Sequence, residues 1–400
     1  MGKILQDSRE LTKYKGQKVI LLYSGGLDSM YAAYTLNKMG IKTFALTVDV
    51  GQKIPNDIEK NSKKLGIELR IIDVQSILCS EYLSYGIRFN ALYNNNYPIS
   101  SSYTRPLIAK EAVKLAEKIN SQLIVHSATP MQNSASRFNL SILSLSQTID
   151  IYCPAILDYT EREKKISVLN SIGIEIPEDN LSYSIDENLW ARVIESGTLE
   201  TPELELHEDS LYEWTKNLND SNEQPLEITI SFKDGLPFKL NGIEMSLSDI
   251  IKTLNGQLGK LKVGRYSGFE ENLFGTKSHE VREAPAAHLI HESHKLLEEM
   301  ILSTNELKVK HFLDREWTDT VVKGGWFSKL KESLDSIAPS FSKDIVGDLK
   351  WKIDKGMCSC ISINSPKGMY SAKYPDFVEE FRPFTLNSIY QQARRTHRQS

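Results

Sequence analysis

The sequence has little cysteine, and the cysteine it has follows no pattern. Its four cysteines are Cys79, Cys153, Cys358 and Cys360, without the spacing of a disulfide framework. This scarcity excludes a small secreted domain held by disulfides and predicts a cytoplasmic protein, because free thiols persist in a reducing compartment. Cys358 and Cys360 lie two positions apart, on one face of a predicted strand, where packing is a simpler role than metal or redox chemistry.

Long apolar runs and an excess of positive charge are also absent. No run is long enough to cross a bilayer and no signal-peptide pattern is visible, so no membrane partner is expected. The formal net charge is −4, and Arg394, Arg395 and Arg398 are too few to form a nucleic-acid arm. The remaining composition, 40% hydrophobic and 25% charged over 400 residues, predicts a globular protein of two domains.

The chain is organised around residues 18–29, KVILLYSGGLDS. An apolar strand stops at a Ser-Gly-Gly turn, and a helix with apolar residues at helical spacing starts near Asp28 and Ser29. Gly25 and Gly26 let backbone N–H groups converge without a Cβ in the way. Such a nest at a helix N-terminus attracts phosphate.

The turn has a recognisable signature. A Gly-Gly pair alone would indicate only a turn, but the full SGGLDS resembles the PP-loop of ATP pyrophosphatases, which cleave ATP between the α and β phosphates. The hydroxyls of Ser24 and Ser29 add donors, and Asp28 would either cap the helix or hold a magnesium ion through water. No Gly-Lys-Ser/Thr follows, as a Walker loop requires, so transfer of the γ-phosphate is disfavoured.

Strands and helices alternate after the loop, which predicts a doubly wound parallel sheet. The predicted strands are 43–48, 69–74 and 123–126, and the predicted helices are 56–65, 107–119 and one that runs to residue 172. A helical segment ending at Tyr93 and a hydroxyl-rich loop at 97–106 come before the helix at 107–119. The strand exits at 49–52 and 127–133 are expected at the sheet edge where such folds bind ligands.

The second half mixes strands with helices and predicts an α+β domain. The predicted strands are 226–232, 238–240, 350–353 and 359–363, and the predicted helices are 248–254 and 286–302. Pro177 and Asp179 mark a linker between the halves. His288, His291 and His294 lie on the second of these helices, where packing is favoured over metal binding, so no metal-ligand site is predicted.

Short sequence pieces in a fixed order carry a wider resemblance. They are SGGLDS, DVGQ at 49–52, RPLIAK at 105–110, HSAT at 126–129, RF at 137–138, SYSIDENLW at 182–190, ESGTLETP at 195–202, VGR at 263–265, EN and LFGTKS at 271–278, EAP at 283–285 and GGWFS at 324–328. Each piece is weak alone, but the ordered set resembles the argininosuccinate synthase family over almost the whole chain.

The resemblance implies an α/β fold in which a doubly wound parallel-sheet PP-loop nucleotide-binding domain is joined to an α+β synthetase domain and a C-terminal oligomerisation helix. The corresponding segments are an extension at 1–17 and then 18–170, 171–375 and 376–400. ATP and Mg²⁺ are the implied cofactors. A homotetramer is implied because the family's carboxyl-terminal helix crosses to a neighbouring subunit, whereas amphipathicity alone would say only that this helix packs on something.

The implied reaction is a two-step ligation of small molecules. The ureido oxygen of citrulline attacks the α-phosphate of ATP, pyrophosphate leaves into the loop, and an amine displaces AMP to form a carbon–nitrogen bond. A loop that stabilises charge on leaving pyrophosphate suits this chemistry. A second domain folded over the loop would keep water from the adenylated intermediate.

The nucleotide positions of the family are well kept. Those implied to bind ATP are Tyr23, Ser24, Gly25, Gly26, Leu27, Asp28, Ser29, Ala45 and Ser127, the last of which lies in a further implied ATP-binding turn at 125–133. Ser24, Asp28 and Ser29, together with Arg137, are the implied catalytic residues. Ordinary strand packing is an equally good role for Tyr23 and Ala45.

The substrate positions are less uniform. Those implied are Tyr97, Ser102, Arg105, Thr129, Asn133, Ser134, Arg137, Ser184, Glu271 and Arg282, with Thr129 and Asn133 in the part that grips aspartate. Arg137 is the most telling, because a guanidinium binds a carboxylate in bidentate fashion, although a surface ion pair is its simpler role. Ser184 could instead cap a helix starting at SIDE. Glu271 is preferred to Glu270 because it keeps the Glu-Asn pair.

Four departures from the family fall on the predicted pocket. Ser127 replaces a glycine, Ser134 replaces an aspartate, Val193 replaces a small polar residue on a predicted helix, and Arg282 replaces a tyrosine. Loss of a carboxylate that would meet the ammonium of aspartate, together with gain of a guanidinium, predicts altered substrates and favours an additional anion on one of them. Neutral drift with a surface-pointing Arg282 is the alternative.

Three other functions compete with a ligase of altered specificity. The orthodox synthesis of argininosuccinate in arginine biosynthesis is the first. A PP-loop sulfurtransferase would need a reactive cysteine pair and a basic RNA-binding face, and neither is evident. A non-catalytic nucleotide-binding protein is disfavoured by the intact loop.

Overall fold

The computed structural model describes residues 2–129, 133–176, 183–206, 211–215, 224–272, 274–369 and 382–390. Its strands are β1 Lys18–Leu22, β2 Lys42–Asp49, β3 Glu68–Asp73, β4 Leu92–Tyr93, β5 Tyr97–Pro98, β6 Leu123–Val125, β7 Asp150–Tyr152, β8 Ser184–Glu187, β9 Arg192–Glu195, β10 Leu226–Lys233, β11 Leu236–Leu240, β12 Ile243–Glu244, β13 Arg265–Glu271, β14 Lys277–Glu283, β15 Gly347–Asp354 and β16 Met357–Asn364.

The helices between them are mostly longer than three turns. They are α1 Leu27–Lys38, α2 Ile58–Lys64, α3 Gln75–Ile77, α4 Ser84–Arg88, α5 Ser101–Lys118, α6 Asn133–Leu145, α7 Pro154–Leu157, α8 Arg162–Ser171, α9 Leu247–Lys260, α10 Pro285–Ile301, α11 Thr304–Val322 and α12 Lys329–Ser342. A π-helical stretch, Leu78–Leu83, joins α3 to α4, and residues 382–390 are helical.

The first half folds around a five-stranded parallel sheet in the order β3-β2-β1-β6-β7. Alternate residues of the central strand β1 face opposite layers. Ile20 belongs to the cluster that contains α5, whereas Leu21 belongs to the cluster that contains α1. Because helices cover both faces, the strand is apolar throughout. The predicted doubly wound α/β domain is confirmed.

The second half is an α+β arrangement, as predicted. One antiparallel sheet has the order β12-β11-β10-β15-β16, and a smaller one has the order β13-β14-β9-β8. The larger hydrophobic cluster is continuous between the halves, since it contains Leu22 and Phe44 of the parallel sheet with Ile228 and Leu289 of the second half. The halves therefore share one core.

Three local predictions are wrong. The helix predicted up to Tyr93 ends at Arg88, and Tyr93 instead pairs with Tyr97 in the β4–β5 hairpin. Helix α5 starts at Ser101 and not at residue 107, because Pro106 lies early enough in it that its missing N–H costs a single hydrogen bond.

The third error concerns the segment after the linker. A helix capped at Ser184 was expected there, and Val193 was expected on a helix, but both residues lie on strands, β8 and β9. Ile185 and Ile194 pair directly across the two strands. Branched side chains such as Val193 and Ile194 favour an extended backbone over a helix. Pro177 and Asp179, the predicted linker residues, lie outside the described residues.

The three histidines of α10 and the cysteines of β16 have packing roles. His288 Nδ1 lies 2.8 Å from the Tyr266 hydroxyl, and His294 Nδ1 lies 2.9 Å from Asn90 Oδ1. His291 stands edge-on to an indole ring 5.6 Å away. Within the ranges given above, no three His, Cys, Asp or Glu side chains form a metal-binding group. None of the described helices is long and apolar enough to span a membrane.

Candidate active site

The loop after β1 is shaped by its glycines. Tyr23 continues the strand, because its N–H donates to Leu46 O at 2.9 Å. Gly25 then takes φ +77°, a conformation that residues with a Cβ rarely adopt. A Cβ there would also lie 3.2 Å from the side chains of Pro55 and Ile58. The turn brings the chain directly into α1.

Two hydroxyl groups lie side by side where α1 begins. Ser24 Oγ is 3.2 Å from Ser29 Oγ and accepts a hydrogen bond from Gly26 N at the same distance. Ser29 is buried and donates to Gly26 O at 2.9 Å. Helix N–H groups and the positive end of the helix dipole point to this place, so it is suited to a phosphate group.

Asp28 does not cap the helix. Gly26 is the N-cap residue and no side chain caps the end. The Asp28 carboxylate instead pairs with Lys165 of α8, with 2.7 Å between Oδ1 and Nζ. Its side chain is 40% exposed at the mouth of the loop. A hard oxygen donor in that position fits a magnesium ion held through water together with nucleotide phosphates.

The other positions predicted to bind the nucleotide lie on the same sheet, most of them near its carboxyl edge. Strands β2, β1 and β6 are neighbours, so their carboxyl ends lie next to each other. Ser127 and Thr129 are half-buried just beyond β6. Ala45 is different, because it is fully buried in mid-strand, paired with Leu21. Tyr23 is buried too, and its hydroxyl has no partner among the residues described. Residues 130–132 of the predicted turn lie outside the described residues.

A narrow polar cleft lies between the two halves of the chain. Its lining residues are Ser101, Asn133, Ser134, Arg137, Asp186, Val193, Glu195, Glu270, Asn272, Ser278, Glu280 and Arg282. One wall is formed by the first turns of α5 and α6, and the facing wall by the sheet β13-β14-β9-β8. Asn133, Ser134, Arg137 and Arg282 are the predicted substrate residues that it contains.

Arg137 is a buried member of the cleft and not a surface arginine, since its residue exposure is 2%. Its Nε donates to Val322 O at 2.8 Å, Nη1 to Ser101 Oγ at 2.6 Å, and Nη2 to Glu270 Oε1 at 2.6 Å. Burial raises the pKa of Glu270, but the guanidinium groups of Arg137 and Arg282 outweigh burial and lower this pKa well below its usual range. Arg137 and Glu270 therefore form an ion pair.

Glu270, and not the predicted Glu271, turns its side chain into the cleft. Successive residues of a strand face opposite sides, so only one of the two can do so. Glu271 is exposed, and its backbone carbonyl accepts a hydrogen bond from Asn133 Nδ2 at 2.9 Å. In the same way Ser101 lines the cleft, whereas the predicted Ser102 is buried within α5.

Arg282 is buried in the cleft and does not point to the surface. Its Nη2 forms an ion pair with Glu280 and lies 3.9 Å from Glu270 Oε2. Its guanidinium carbon is 4.2 Å from the centre of the Tyr97 ring, a cation–π arrangement. Because the carboxyl groups of Glu280 and Glu270 already lie beside this guanidinium, the residue does not offer the free cation that would select an additional anion.

Tyr97 is held flat beside Arg282. Its ring stacks on Tyr93 with centroids 5.5 Å apart, and a Cβ at Gly268 would come within 2.4 Å of it. The Tyr97 hydroxyl is buried without a partner in the described part of the chain. Ser184 is the remaining predicted substrate residue, and it lies half-buried at the start of β8, paired with Glu195.

Three of the four positions predicted to depart from the family pattern lie in this cleft. They are Ser134, Val193 and Arg282. Ser134 Oγ accepts from Arg105 Nε at 3.1 Å, and the guanidinium of Arg105 pairs with Asp186 at 2.9 Å. Val193 is the register partner of Arg282 on the neighbouring strand. Ser127 is not among the residues that line the described cleft.

The cleft carries opposite charge on its two walls. The helix wall has Arg137 and two helix N-termini. On the sheet wall the four acidic residues Asp186, Glu195, Glu270 and Glu280 outnumber the one guanidinium, that of Arg282, which is paired with Glu280. Burial raises the pKa of Glu195 to about 7, with further contributions from Asp186 and Glu270. A molecule with both a carboxylate and an ammonium group fits this polarity.

Sequence reasoning missed most of the sheet wall. Asp186, Glu195, Glu270, Glu280, Asn272 and Ser278 were not predicted as site residues. The signal was the alternation in KSHEVRE, which places Glu280 and Arg282 on one face once this segment is recognised as a strand.

Two family models match the chain. The one described as the arginosuccinate synthase N-terminal HUP domain matches residues 18–175. The one described as the arginosuccinate synthase C-terminal domain matches residues 183–386. The first contains the parallel sheet with its loop, and the second contains the sheet wall of the cleft.

Curated relatives are similar over nearly their full length. An argininosuccinate synthase of Pyrobaculum aerophilum is 35% identical over 370 residues, covering 92% of this chain and 93% of that protein. One of Sulfolobus acidocaldarius is 37% identical over 370 residues, with 92% of each covered. One of Staphylococcus aureus is 35% identical over 368 residues, with 91% of each covered.

Proposed function

The chain belongs to the argininosuccinate synthase family, and we propose that it is an ATP-dependent ligase forming a carbon–nitrogen bond, with AMP and pyrophosphate as products. An oxygen of a ureido, amide or carboxyl group on the acceptor attacks the α-phosphate of ATP. The bond from that phosphorus to the bridging oxygen breaks, and pyrophosphate leaves. An amine then attacks the activated carbon, and AMP leaves with the acceptor oxygen.

The loop geometry is the observation that carries this proposal. Ser24 and Ser29 place two hydroxyls 3.2 Å apart at the start of α1, where helix N–H groups converge. In our proposal these hydroxyls bind the phosphates that become pyrophosphate. Asp28 would hold the Mg²⁺, which supplies neutralising charge to the phosphates when bound. Tyr23, Gly25, Gly26, Leu27, Ala45 and Ser127 complete the proposed nucleotide site.

The proposed acceptor site is the cleft between the two walls. Arg137 and Ser101 would bind a carboxylate, since Arg137 is the charged donor and Ser101 a hydroxyl donor on the helix wall of the cleft. The carboxylates of the sheet wall would bind an ammonium group. Both features suit an amino-acid acceptor. Tyr97, Arg105, Thr129, Asn133, Ser134, Ser184 and Arg282 remain the proposed substrate positions from sequence, while Glu270 takes the place of Glu271 and Ser101 that of Ser102.

We further propose that the substrates differ from citrulline and aspartate. Three departures from the family line one cleft, and the buried ion pair of Arg282 with Glu280 changes its shape and its hydrogen bonding. A paired guanidinium and carboxylate can serve a substrate group that both donates and accepts hydrogen bonds. The orthodox pair of substrates is the second candidate, because most family positions are kept.

Several broader properties are part of the same proposal. They are a cytoplasmic homotetramer, no nucleic-acid or membrane partner, and domain limits at 17, 170 and 375. The helical stretch at 382–390 supports the oligomer, because its Leu386 and Ile389 side chains are about 60% exposed on this single chain.

A screen of substrates tests the proposal. The full chain is incubated with ATP, with ureido, amide and carboxylate acceptors including citrulline, and with amino donors including aspartate. AMP is read by mass spectrometry. We expect AMP with one acceptor–amine pair, and a loss of about a hundredfold in Ser24→Ala, because a positioned donor to developing charge is removed.

Ser336→Ala, at an exposed position of α12, is the matched control and should keep full activity. Ordinary rates with citrulline and aspartate would overturn the altered specificity and establish the orthodox activity. If folded protein forms AMP with none of the acceptor–amine pairs, the ligase proposal is overturned.

A further inference from the structure

Lys165 lies outside the predicted site but reaches the loop from α8. Its Nζ is 2.7 Å from Asp28 Oδ1, and its side chain is 16% exposed. Helix α8 is anchored by Leu169, which is fully buried in the same cluster as Tyr23 and Met30. The ammonium group is therefore held at the mouth of the loop by an element fixed to the sheet.

The loop lacks a positive charge of its own. SGGLDS contains no basic residue, and its N–H groups and hydroxyls offer only partial charges. The pyrophosphate that leaves gains negative charge as its bond to the α-phosphorus breaks. A full positive charge in contact with the leaving group would stabilise this step more than neutral donors do.

We propose that Lys165 binds the β- and γ-phosphates of ATP and stabilises pyrophosphate as it leaves. The inference rests on the proposed cleavage of ATP between the α and β phosphates. The acceptor oxygen forms its bond to the α-phosphorus while the bond to the bridging oxygen breaks, and the electron pair stays on that oxygen. Lys165 keeps its protons and donates hydrogen bonds to the pyrophosphate oxygens.

The side chain is suited to this change of partner. A lysine ammonium is a compact charge on a flexible stem with three donors, so it can exchange a carboxylate for a phosphate oxygen by rotation of its own bonds. Its present partner, Asp28, is partly exposed, and such pairs hold their geometry weakly. Binding of polyphosphate would leave the Asp28 carboxylate available at the loop.

The simpler role for Lys165 is a structural ion pair between α8 and α1. The two roles differ in which ligand they affect. Pyrophosphate contains the phosphates that Lys165 is proposed to bind, whereas AMP contains only the α-phosphate. A structural ion pair supports the whole loop, so its loss would weaken the binding of both ligands by a similar factor.

Binding of inorganic pyrophosphate and of AMP to the full chain, measured by calorimetry, tests the inference. In Lys165→Met we expect the dissociation constant for pyrophosphate to rise about tenfold to a hundredfold, the value of one lost charge-assisted hydrogen bond. The constant for AMP should stay within about twofold. Lys165→Arg should recover part of the loss, because it restores the charge.

Lys164→Met is the matched control. It changes the exposed lysine that precedes Lys165 in α8, and it should leave both dissociation constants unchanged. The inference would be overturned if Lys165→Met and the parent had equal dissociation constants for pyrophosphate. It would also be overturned if the substitution weakened the binding of pyrophosphate and of AMP by the same factor. If Lys165→Met does not fold, failure of Lys165→Arg to bind pyrophosphate better than AMP would overturn it as well. These measurements need no acceptor, so they stand even if the substrate screen fails.

Discussion

The cleft side chains are held as ion pairs, so a ligand must replace charges and cannot simply add its own. Arg137 directs three nitrogen atoms to Val322 O, Ser101 and Glu270, all at 2.8 Å or less. Arg282 is paired with Glu280. A substrate group that displaces either partner has to supply an equivalent charge, since an unpaired buried charge is strongly destabilising. Specificity in this cleft therefore depends on pairs of residues.

Arg282→Tyr tests this dependence. The change removes the guanidinium beside Tyr97 and leaves Glu280 without its ion-pair partner. We expect the Michaelis constant for the acceptor to change by about tenfold to a hundredfold, the value of a charge-assisted hydrogen bond. The Michaelis constant for ATP should change by less than about twofold. Steady-state kinetics with the acceptor found in the screen provides the measurement. Equal changes in both constants would place Arg282 outside the substrate site.

The substitution needs two controls. Arg265→Tyr makes the same exchange on β13, where the guanidinium stacks on Tyr212 outside the cleft, and it should leave the acceptor constant unchanged. An uncompensated Glu280 would cost about 3–5 kcal/mol of stability. The double variant Arg282→Tyr with Glu280→Gln removes that charge, so it should fold and still show the altered acceptor constant.

At the scale of elements, the strands of the second half decide which side chains reach the cleft. The sequence signature located the loop and four of the five parallel strands, because apolar runs and a Gly-Gly turn depend on local physics, but it missed the three-residue strand β7. It chose Glu271 where Glu270 enters the cleft, since the choice depends on the register of β13 against β14, which pairs Gly268 with Glu280. Glu280 was missed because its alternation with Arg282 indicates a shared face only after this segment is recognised as a strand.

Gly51 is an element-scale requirement at the join of β2 with the second half. It has φ +95°, and a Cβ there would lie 2.7 Å from the backbone nitrogen of Leu189. That nitrogen donates to Val50 O at 2.8 Å, which links the two halves. We expect Gly51→Ala to lower the free energy of unfolding by about 1–2 kcal/mol for backbone strain and by about 1–3 kcal/mol more for the clash.

Gly242→Ala separates the two contributions. Gly242 also has a positive φ, +79°, but nothing lies within 4 Å of a Cβ built there. The decrease in the free energy of unfolding of Gly242→Ala, measured by urea denaturation, should therefore reflect backbone strain alone. If both variants lose the same free energy, Gly51 is required only for its turn, and the close approach of the two halves has no energetic cost there.

For the whole molecule, composition and alternation predicted an α/β domain followed by an α+β domain, but they missed how the two are joined. A single apolar cluster runs through both halves, and polar contacts such as Arg137 with Glu270 cross the cleft. Contacts between residues more than a hundred positions apart leave no periodic trace in a sequence. The N-terminal extension is a second case, since its polar composition gave no indication of its role.

The extension is expected to stabilise the whole fold by covering an edge strand. Ile4 pairs with Ile151 of β7, the last strand of the parallel sheet, and Leu5 and Leu11 are buried. Asp150 of the same strand accepts hydrogen bonds from Lys3 N at 2.9 Å, Lys13 Nζ at 2.7 Å and Tyr14 Oη at 2.5 Å. An uncovered edge of unpaired backbone groups invites association with other chains.

Deletion of residues 1–15 should therefore weaken folding and expose that edge. Each of the two buried leucines is worth about 1.5–3 kcal/mol, so we expect the free energy of unfolding in urea to fall by about 3–6 kcal/mol, with concentration-dependent aggregation in light scattering. Leu11→Ala should reproduce part of the loss without the aggregation, because the backbone pairing at Ile151 stays. Lys15→Ala, at an exposed position of the same segment, should behave as the parent. A truncated chain with unchanged stability would mean that β7 needs no cover and that the extension only rests on the sheet.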